Sequence, residues 1–480
     1  MIFKNILKFI ASVGIVVFTL LLIPVLIGLY YHEDVYWHGL SILGFLGANI
    51  FIFVLLRHHL VTLNIKESII SVNIVWILLG IAGAIPLVLN TGIDFSSAFF
   101  ESISGFTTTG ATVFGEIESL PKNILFHRSL THWIGGIGII VLGIGLLPLL
   151  NPSGSLSLFK AESSGISIDK FSPKIKDTAK RLWMLYVSLT LANMLLLMFF
   201  GMDWFDAINH AFSTISTGGF STKNLSLGYF TQDGIVWITS FFMFISSINF
   251  LAHIRFINGN RSSYNMEEIK WYLGVIIVLS CLLALVHFLK SDDSLYTAFL
   301  HSVFTIISLT STTGFATVDY EAWGHFAVMF MFFAMILGGN AGSTAGGVKV
   351  IRYILFFKNI GVEAQKSIHP ESVTSIFVDG KPIQSSIIHS LFGFFSLFVL
   401  TIFLVMVYLF ARGYDEMSAL STAIATVGNI GPGFELTGPS QNYGFFSWYD
   451  KLVLSCAMII GRLECYTVFI LFGKSFWKKF

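Results

Sequence analysis

At four places in this chain a threonine stands two residues before a glycine: Thr108 and Gly110, Thr217 and Gly219, Thr312 and Gly314, Thr426 and Gly428. Between them lie Thr109, Gly218, Thr313 and Val427, and six residues before each glycine comes another hydroxyl, Ser104, Ser213, Ser308 or Thr422. Glycine permits the positive φ that turns successive carbonyls toward one axis, and a threonine hydroxyl can brace such a loop. A ring of backbone carbonyls is how a protein replaces the hydration shell of an alkali cation. Clusters of small residues also let membrane helices pack closely. One cluster would be ambiguous, whereas four in the same register argue for a single site assembled from four quarters.

Such loops need a frame immersed in lipid. Of 480 residues, 55% are hydrophobic and 11% charged, and the mean hydropathy is +0.78, more apolar surface than a soluble core absorbs. A net charge of +1 offers no footprint for nucleic acid. Runs of about 20 apolar residues cross the hydrocarbon layer, and the chain has ten: 6–31, 40–56, 69–89, 130–150, 182–200, 235–257, 271–289, 326–357, 387–411 and 452–472. With both termini cytoplasmic, only Lys122, Arg128, Lys223, Lys290, Arg412 and Lys451 of the 28 basic residues fall outside, and Arg462 lies in the membrane. That bias follows the positive-inside rule.

Segments 95–105, 204–216, 295–309 and 416–425 are too short to cross and read as re-entrant pore helices. The Thr/Gly stretches after them must then face protein or water, since lipid cannot cover irregular backbone. The expected fold is an all-α integral membrane protein with ten transmembrane helices. Four tandem helix, pore-loop, helix repeats with pseudo-fourfold symmetry follow two N-terminal helices. The boundaries are an N-terminal extension at 1–66, repeat 1 at 67–159, a basic cytoplasmic linker at 160–180, repeat 2 at 181–262, repeat 3 at 263–382 and repeat 4 at 383–480. Each repeat crosses an even number of times, so the copies point the same way, unlike the inverted repeats of many rocking transporters.

Two features interrupt the apolar pattern. Gly338, Gly339, Asn340, Ala341, Gly342, Ser343, Thr344, Ala345, Gly346 and Gly347 break the run 326–357 near its middle, and their glycine content should unwind it. Arg462 stands 12 residues past Asp450, about 18 Å along a helix. A charge at that depth is a functional hypothesis. Glu464, two residues on, is a poor partner on a helix, so Arg462 is expected to reach the pore axis or the unwound loop.

These motifs carry a family resemblance over essentially the whole chain. With the segments 339–349, 461–464 and 172–176, the chain resembles the TrkH-type subunit of bacterial potassium uptake systems, within the wider Trk, Ktr and HKT superfamily. Its two leading helices resemble that branch more than the KtrB-like one. The resemblance implies K+ as the transported ion, no organic cofactor, residence in the bacterial inner membrane and a homodimer embedded in lipid. It also implies a cytosolic ring of TrkA-like nucleotide-binding subunits, with segment 338–347 as an intramembrane gate that Arg462 helps to close. Two departures stand out: Gly218 doubles the glycine of the second filter, and the fourth has no aromatic residue after Gly428. A sodium-coupled or sodium-conducting relative is the alternative, and an intramembrane enzyme a remote one.

Weaker candidates complete the reading. His132, His210 and His301 lie in or near the pore helices, where hydrogen bonding between helices outweighs metal binding or proton relay. Glu101 and Asp206 could draw cations or anchor pore helices. Arg462 and Glu464 are the charges placed near helix centres, and they form no nucleophile and base pair of the kind a hydrolase requires. Cys281, Cys456 and Cys465, lacking metal-ligand spacing, read as buried free thiols.

Overall fold

The computed structural model describes residues 2–59, 63–141, 175–372 and 374–478. The linker segment 160–174 and the part of the fourth apolar run beyond 141 lie outside the described residues. Three helices lead the chain: α1 (Ile2–Leu20), α2 (Ile23–Tyr30) and α3 (Tyr36–Leu55). A long helix, a short helix and a further helical stretch then recur in that order. First come α4 (Ile65–Thr91), α5 (Phe95–Phe106) and α6 (Lys122–Val141). Next are α7 (Ile175–Phe199), α8 (Trp204–Ile215), α9 (Asp233–Ser246) and α10 (Phe250–Ile257). The third set is α11 (Glu267–Lys290), α12 (Leu295–Thr310), α13 (His325–Leu337) and α14 (Val350–Ile368). The last is α15 (Ser385–Ala411), α16 (Glu416–Gly428), α17 (Trp448–Arg462) and α18 (Tyr466–Phe469).

Each short helix packs on the long helix before it and begins with a side-chain cap. Asp94, Asp203, Ser294 and Asp415 sit in extended backbone and accept the N–H of Ser97, of Phe205 and Asp206, of Thr297 and of Ser418. Such caps satisfy donors that a helix N-terminus leaves open. The Asp94 carboxyl loses solvent through burial, but hydrogen bonds from Ser96 and Ser97 outweigh this and hold it at about 2. The short helices form the dry interior, with Phe100, Ile103, Ile215, Phe304 and Ile306 fully buried, while Phe51, Val54 and Leu55 of α3 point outward. Outward apolar side chains are what lipid solvates.

Among the described residues, six helices are long and apolar enough to cross a membrane, or eight if each of two bent pairs counts as one span. The other two expected spans fall on α6, which runs out of the described residues, and on α13 and α14, parted by 338–349.

Several expectations need correction. Sequence reading broke one span, yet runs 235–257 and 452–472 are also broken, with bends of 96° and 109°. The first break carries Asn249, whose side chain caps α10 at Leu251 N, and the second carries Glu464 and Cys465 with φ of 58° and 54°. Hydropathy is continuous across both, so it could not reveal them. The fourth run begins not at 130 but at Lys122, because its polar first turns are satisfied inside the protein. His127 bonds the Gly83 carbonyl and Ser129 bonds Asn209. Cys281 and Cys456 are exposed and only Cys465 is buried, since an apolar run does not distinguish a core face from a lipid face.

Candidate ion-conducting site

The chain after α5, α8 and α12 takes one backbone course. Thr108, Thr217 and Thr312 adopt left-handed φ of 53°, 55° and 57°, and Gly110, Gly219 and Gly314 follow two residues later at 85°, 86° and 80°. A β-branched residue in that region is strained, by about 1–3 kcal/mol, so packing must hold each one. Amides anchor the turn: Thr109 N, Gly218 N and Thr313 N donate to the carbonyls of Ser104, Ser213 and Ser308.

After α16 the same course falls three residues beyond the sequence register. Thr426, Val427 and Gly428 are the last turn of α16. The left-handed residue is Asn429 at 56°, the glycine is Gly431 at 95°, and Ile430 N donates to Ala425 O. The four glycines close a ring. A Cβ added at Gly110 would meet Gly218 O at 2.1 Å, at Gly219 Thr313 O at 2.0 Å, at Gly314 Ile430 O at 1.9 Å and at Gly431 Thr109 O at 2.7 Å. Among the described residues, those four carbonyls and the ones just before them, of Thr108, Thr217, Thr312 and Asn429, accept no hydrogen bond. All eight residues are buried. Buried carbonyls without donors are rare in proteins; a stack of them around one ring has the chemistry of a cation ligand set.

A signal in the sequence marks this register. Asp94, Asp203 and Asp415, the caps, each lie sixteen residues before Gly110, Gly219 and Gly431, and Ser294 lies one helical turn further from Gly314 because α12 is longer, 16 residues against 12 in α5. The doubled glycine also finds its reason. A Cβ at Gly218 would fall 2.3 Å from His132 Nδ1, and the His132 ring stacks on Phe220 at 4.0 Å.

Behind the ring lies an ion pair that sequence reading missed. Arg128 and Glu101 are 2% and 1% exposed, and Arg128 Nε meets Glu101 Oε1 at 2.8 Å. Arg128 also donates to Ser221 O and Thr112 Oγ1, while Glu101 accepts Val113 N. Glu101 thus faces the back of the ring and not the solvent. Asp206 likewise accepts from Thr222 Oγ1 at 2.7 Å and pairs with Lys223 at 3.2 Å. His210 bonds Ser221 and His301 bonds Thr317 as struts beside the loops, and among the described residues no cluster of metal-ligating side chains occurs.

On one side the ring opens to a cavity of about 110 Å³ lined by Gly110, Gly219, Gly314 and Gly431, with Arg128 and Lys223 at its wall. Against Gly438 of this lining lies a pH-sensitive link: Glu321 accepts the Glu435 N–H through both oxygens. Burial pushes its carboxyl up to about 7 against the opposing pull of the Glu435 N–H, with the negative charges of Asp319 and Glu435 adding to the rise. A folded-state value above the unfolded one adds stability that is full below about 4.5 and lost as pH rises through about 7. Thermal unfolding in detergent is therefore expected to fall more between pH 5 and 8 in the wild type than in Glu321→Gln; equal slopes would refute the link.

On the other side, segment 338–349 fills the space between α13 and α14. Asn340 N bonds Ser247 O, Gly342 O accepts Phe250 N, and Thr344 Oγ1 donates to Ile215 O and Ser246 O. The first broken span thus spends its freed backbone groups, Ser246 O, Ser247 O and Phe250 N, on this segment. Arg462, 3% exposed, donates from Nη1 to Thr344 O at 3.0 Å, and its Nε and Nη2 meet no protein acceptor among the described residues. Glu464 pairs instead with Arg352 at 2.7 Å.

Four short helices delivering unbonded carbonyls to one ring, with a chain segment lodged beside it, define a pore-loop transport protein of the membrane and not an enzyme. The family model of TrkH, described as a cation transport protein, matches residues 48–479, and the chain belongs to that family. It is 36% identical over 466 residues to the Trk system potassium uptake protein TrkH of Halomonas elongata, covering 95% of each chain. To the protein of the same description from Escherichia coli K12 it is 37% identical over 424 residues, 87% of each. The crystal structure of the potassium transporter TrkH from Vibrio parahaemolyticus superposes with a TM-score of 0.90 at 34% identity, covering all of both chains.

Proposed function

We propose that this chain conducts potassium into the bacterial cell through one four-part filter: Thr108–Thr109–Gly110, Thr217–Gly218–Gly219, Thr312–Thr313–Gly314 and Asn429–Ile430–Gly431. The observation that carries the reading is the ring of buried carbonyls without donors, which supplies the oxygen ligands a dehydrated cation requires. The four short helices end at this ring, where the negative ends of their dipoles favour a cation. Ten spans in four like-oriented repeats, with both termini cytoplasmic, place the about 110 Å³ cavity outside and segment 338–349 toward the cytoplasm. That segment is the gate. Arg462 holds it shut by its bond to Thr344 O and places a cation below the filter that raises the barrier to permeation. By likeness to Trk systems, a second copy joins the chain as a homodimer, and a TrkA-like nucleotide-binding ring moves the gate from the cytosol.

Proteoliposomes holding the purified chain test this under an imposed membrane potential without a pH gradient. Potassium and rubidium uptake should exceed sodium uptake. Equal sodium uptake overturns potassium selectivity, and uptake only with a proton or sodium gradient overturns a passive pore.

A further inference from the structure

The filter and the gating segment are hydrogen-bonded to each other. Gly346 N donates to Thr312 Oγ1 at 2.6 Å, and Gly347 N donates to Gly428 O at 3.0 Å. The fit is close, since a Cβ at Gly346 would fall 2.5 Å from Gly428 O. The other three residues at the position of Thr312 are engaged differently. Thr217 Oγ1 donates to its neighbour Ser216 O, Thr108 Oγ1 has no partner among the described residues, and Asn429 Nδ2 donates to Thr109 Oγ1 and Met458 O. Of the four, Thr312 alone bonds the segment through its side chain.

We propose that Thr312 couples the gate to the filter, its hydroxyl being a ligand shared between the docked segment and a cation at the inner end of the filter. The proposal rests on the reading of these elements as filter and gate. A hydroxyl oxygen that accepts an amide N–H presents the positive end of that dipole to its surroundings, which disfavours a cation beside it. A cation drawing on the Thr312 oxygen weakens the amide's hold in turn. The segment is pinned elsewhere by Ser246, Ser247, Ile215 and Arg462, and it leaves through Lys349, a non-glycine residue at φ 75°. It therefore has two sets of anchors, one on the broken spans and one on the filter. Opening must release the filter anchors, so ion occupancy and gate state are linked, and linkage is reciprocal.

The test is basal rubidium uptake and the potassium to sodium ratio in proteoliposomes of the full chain without a regulatory partner. Thr312→Val removes the acceptor while keeping the shape. It should raise basal uptake about five- to tenfold, the worth of a buried hydrogen bond, beyond whatever Thr217→Val does as the equivalent filter hydroxyl without gate contact. Thr312→Ser should restore wild-type uptake. Gly346→Ala pushes the segment off the filter and should raise uptake too, and the double variant should match either single because both release one contact. Uptake in Thr312→Val no higher than in Thr217→Val, or additive effects in the double variant, would overturn the coupling. Gly314→Ser in the same assay separates the failures: if it leaves the potassium to sodium ratio unchanged, the filter reading itself fails.

Discussion

Gly431→Ser is expected to cut the preference for potassium over sodium by on the order of tenfold, about 1.4 kcal/mol of discrimination, whereas Gly428→Ala should change it little. The two glycines lie three residues apart and look equally suited in the sequence, but their backbones differ. Gly431 stands at φ 95° with Thr109 O 2.7 Å from the place of a Cβ. A side chain there suffers left-handed strain of about 1–3 kcal/mol and pushes on a carbonyl of the ring. Gly428 is the last helical residue of α16, and its added Cβ would press on the flexible Ile430 side chain, Cδ1 at 3.0 Å, with Met335 O at an ordinary 3.9 Å. Alanine there even gains helix propensity. Uptake ratios in proteoliposomes decide the matter. A loss of selectivity in Gly428→Ala with none in Gly431→Ser would return the filter to the register of Thr426, Val427 and Gly428.

The buried pair Glu101 and Arg128 should give the largest effect on stability. Removing either partner strands the other charge out of water, a change that costs about 3–5 kcal/mol. Glu101→Gln and Arg128→Met should each lower the unfolding temperature in detergent markedly. The double variant Glu101→Leu with Arg128→Met should recover much of that loss, because no lone charge remains. Selectivity should not recover with it. Ser221 O and Val113 N lose their partners and Thr112 Oγ1 keeps only Phe114 N, and these atoms join the chain after Gly110 to that after Gly219. Phe220, over which the guanidinium lies at 4.2 Å, loses its support as well. A double variant as unstable as the sum of the singles would show that the pair's role is not electrostatic.

Much of this was legible in one dimension. Hydropathy exposed the apolar runs because lipid imposes a minimum length on a span. The short amphipathic segments, the Thr/Gly loops and the glycine-rich break at 338–347 were each marked by composition, since glycine content changes what a backbone can do locally. Sequence alone thus determined a lipid-embedded helical chain with short helices followed by Thr/Gly segments, and three of those four segments share one backbone course. The caps Asp94, Asp203 and Asp415 held the signal for the fourth, in a constant distance to the glycine that a search for Thr/Gly pairs passes over.

Only the tertiary structure decided the rest. The fourth quarter is Asn429–Ile430–Gly431 because ring closure is a condition on four strands at once, and a chain read locally offers Thr426 with Gly428 as a better match to the others. The breaks at 247–249 and 464–465 leave no trace in hydropathy, since the residues on both sides are apolar; at the first, segment 338–349 takes up the backbone groups of Ser246, Ser247 and Phe250, and at the second the chain turns on its own bonds, Glu464 N to Gly461 O and Cys465 N to Ile460 O. The pairing of Arg128 with Glu101 and of Arg352 with Glu464 was hidden for the same reason. A charge is tolerated in a dry interior when its partner arrives from another part of the chain, 27 residues away in one case and 112 in the other. Local propensity and lipid set the elements, while burial of polar groups, which must be satisfied by whatever lies near in space, set the site.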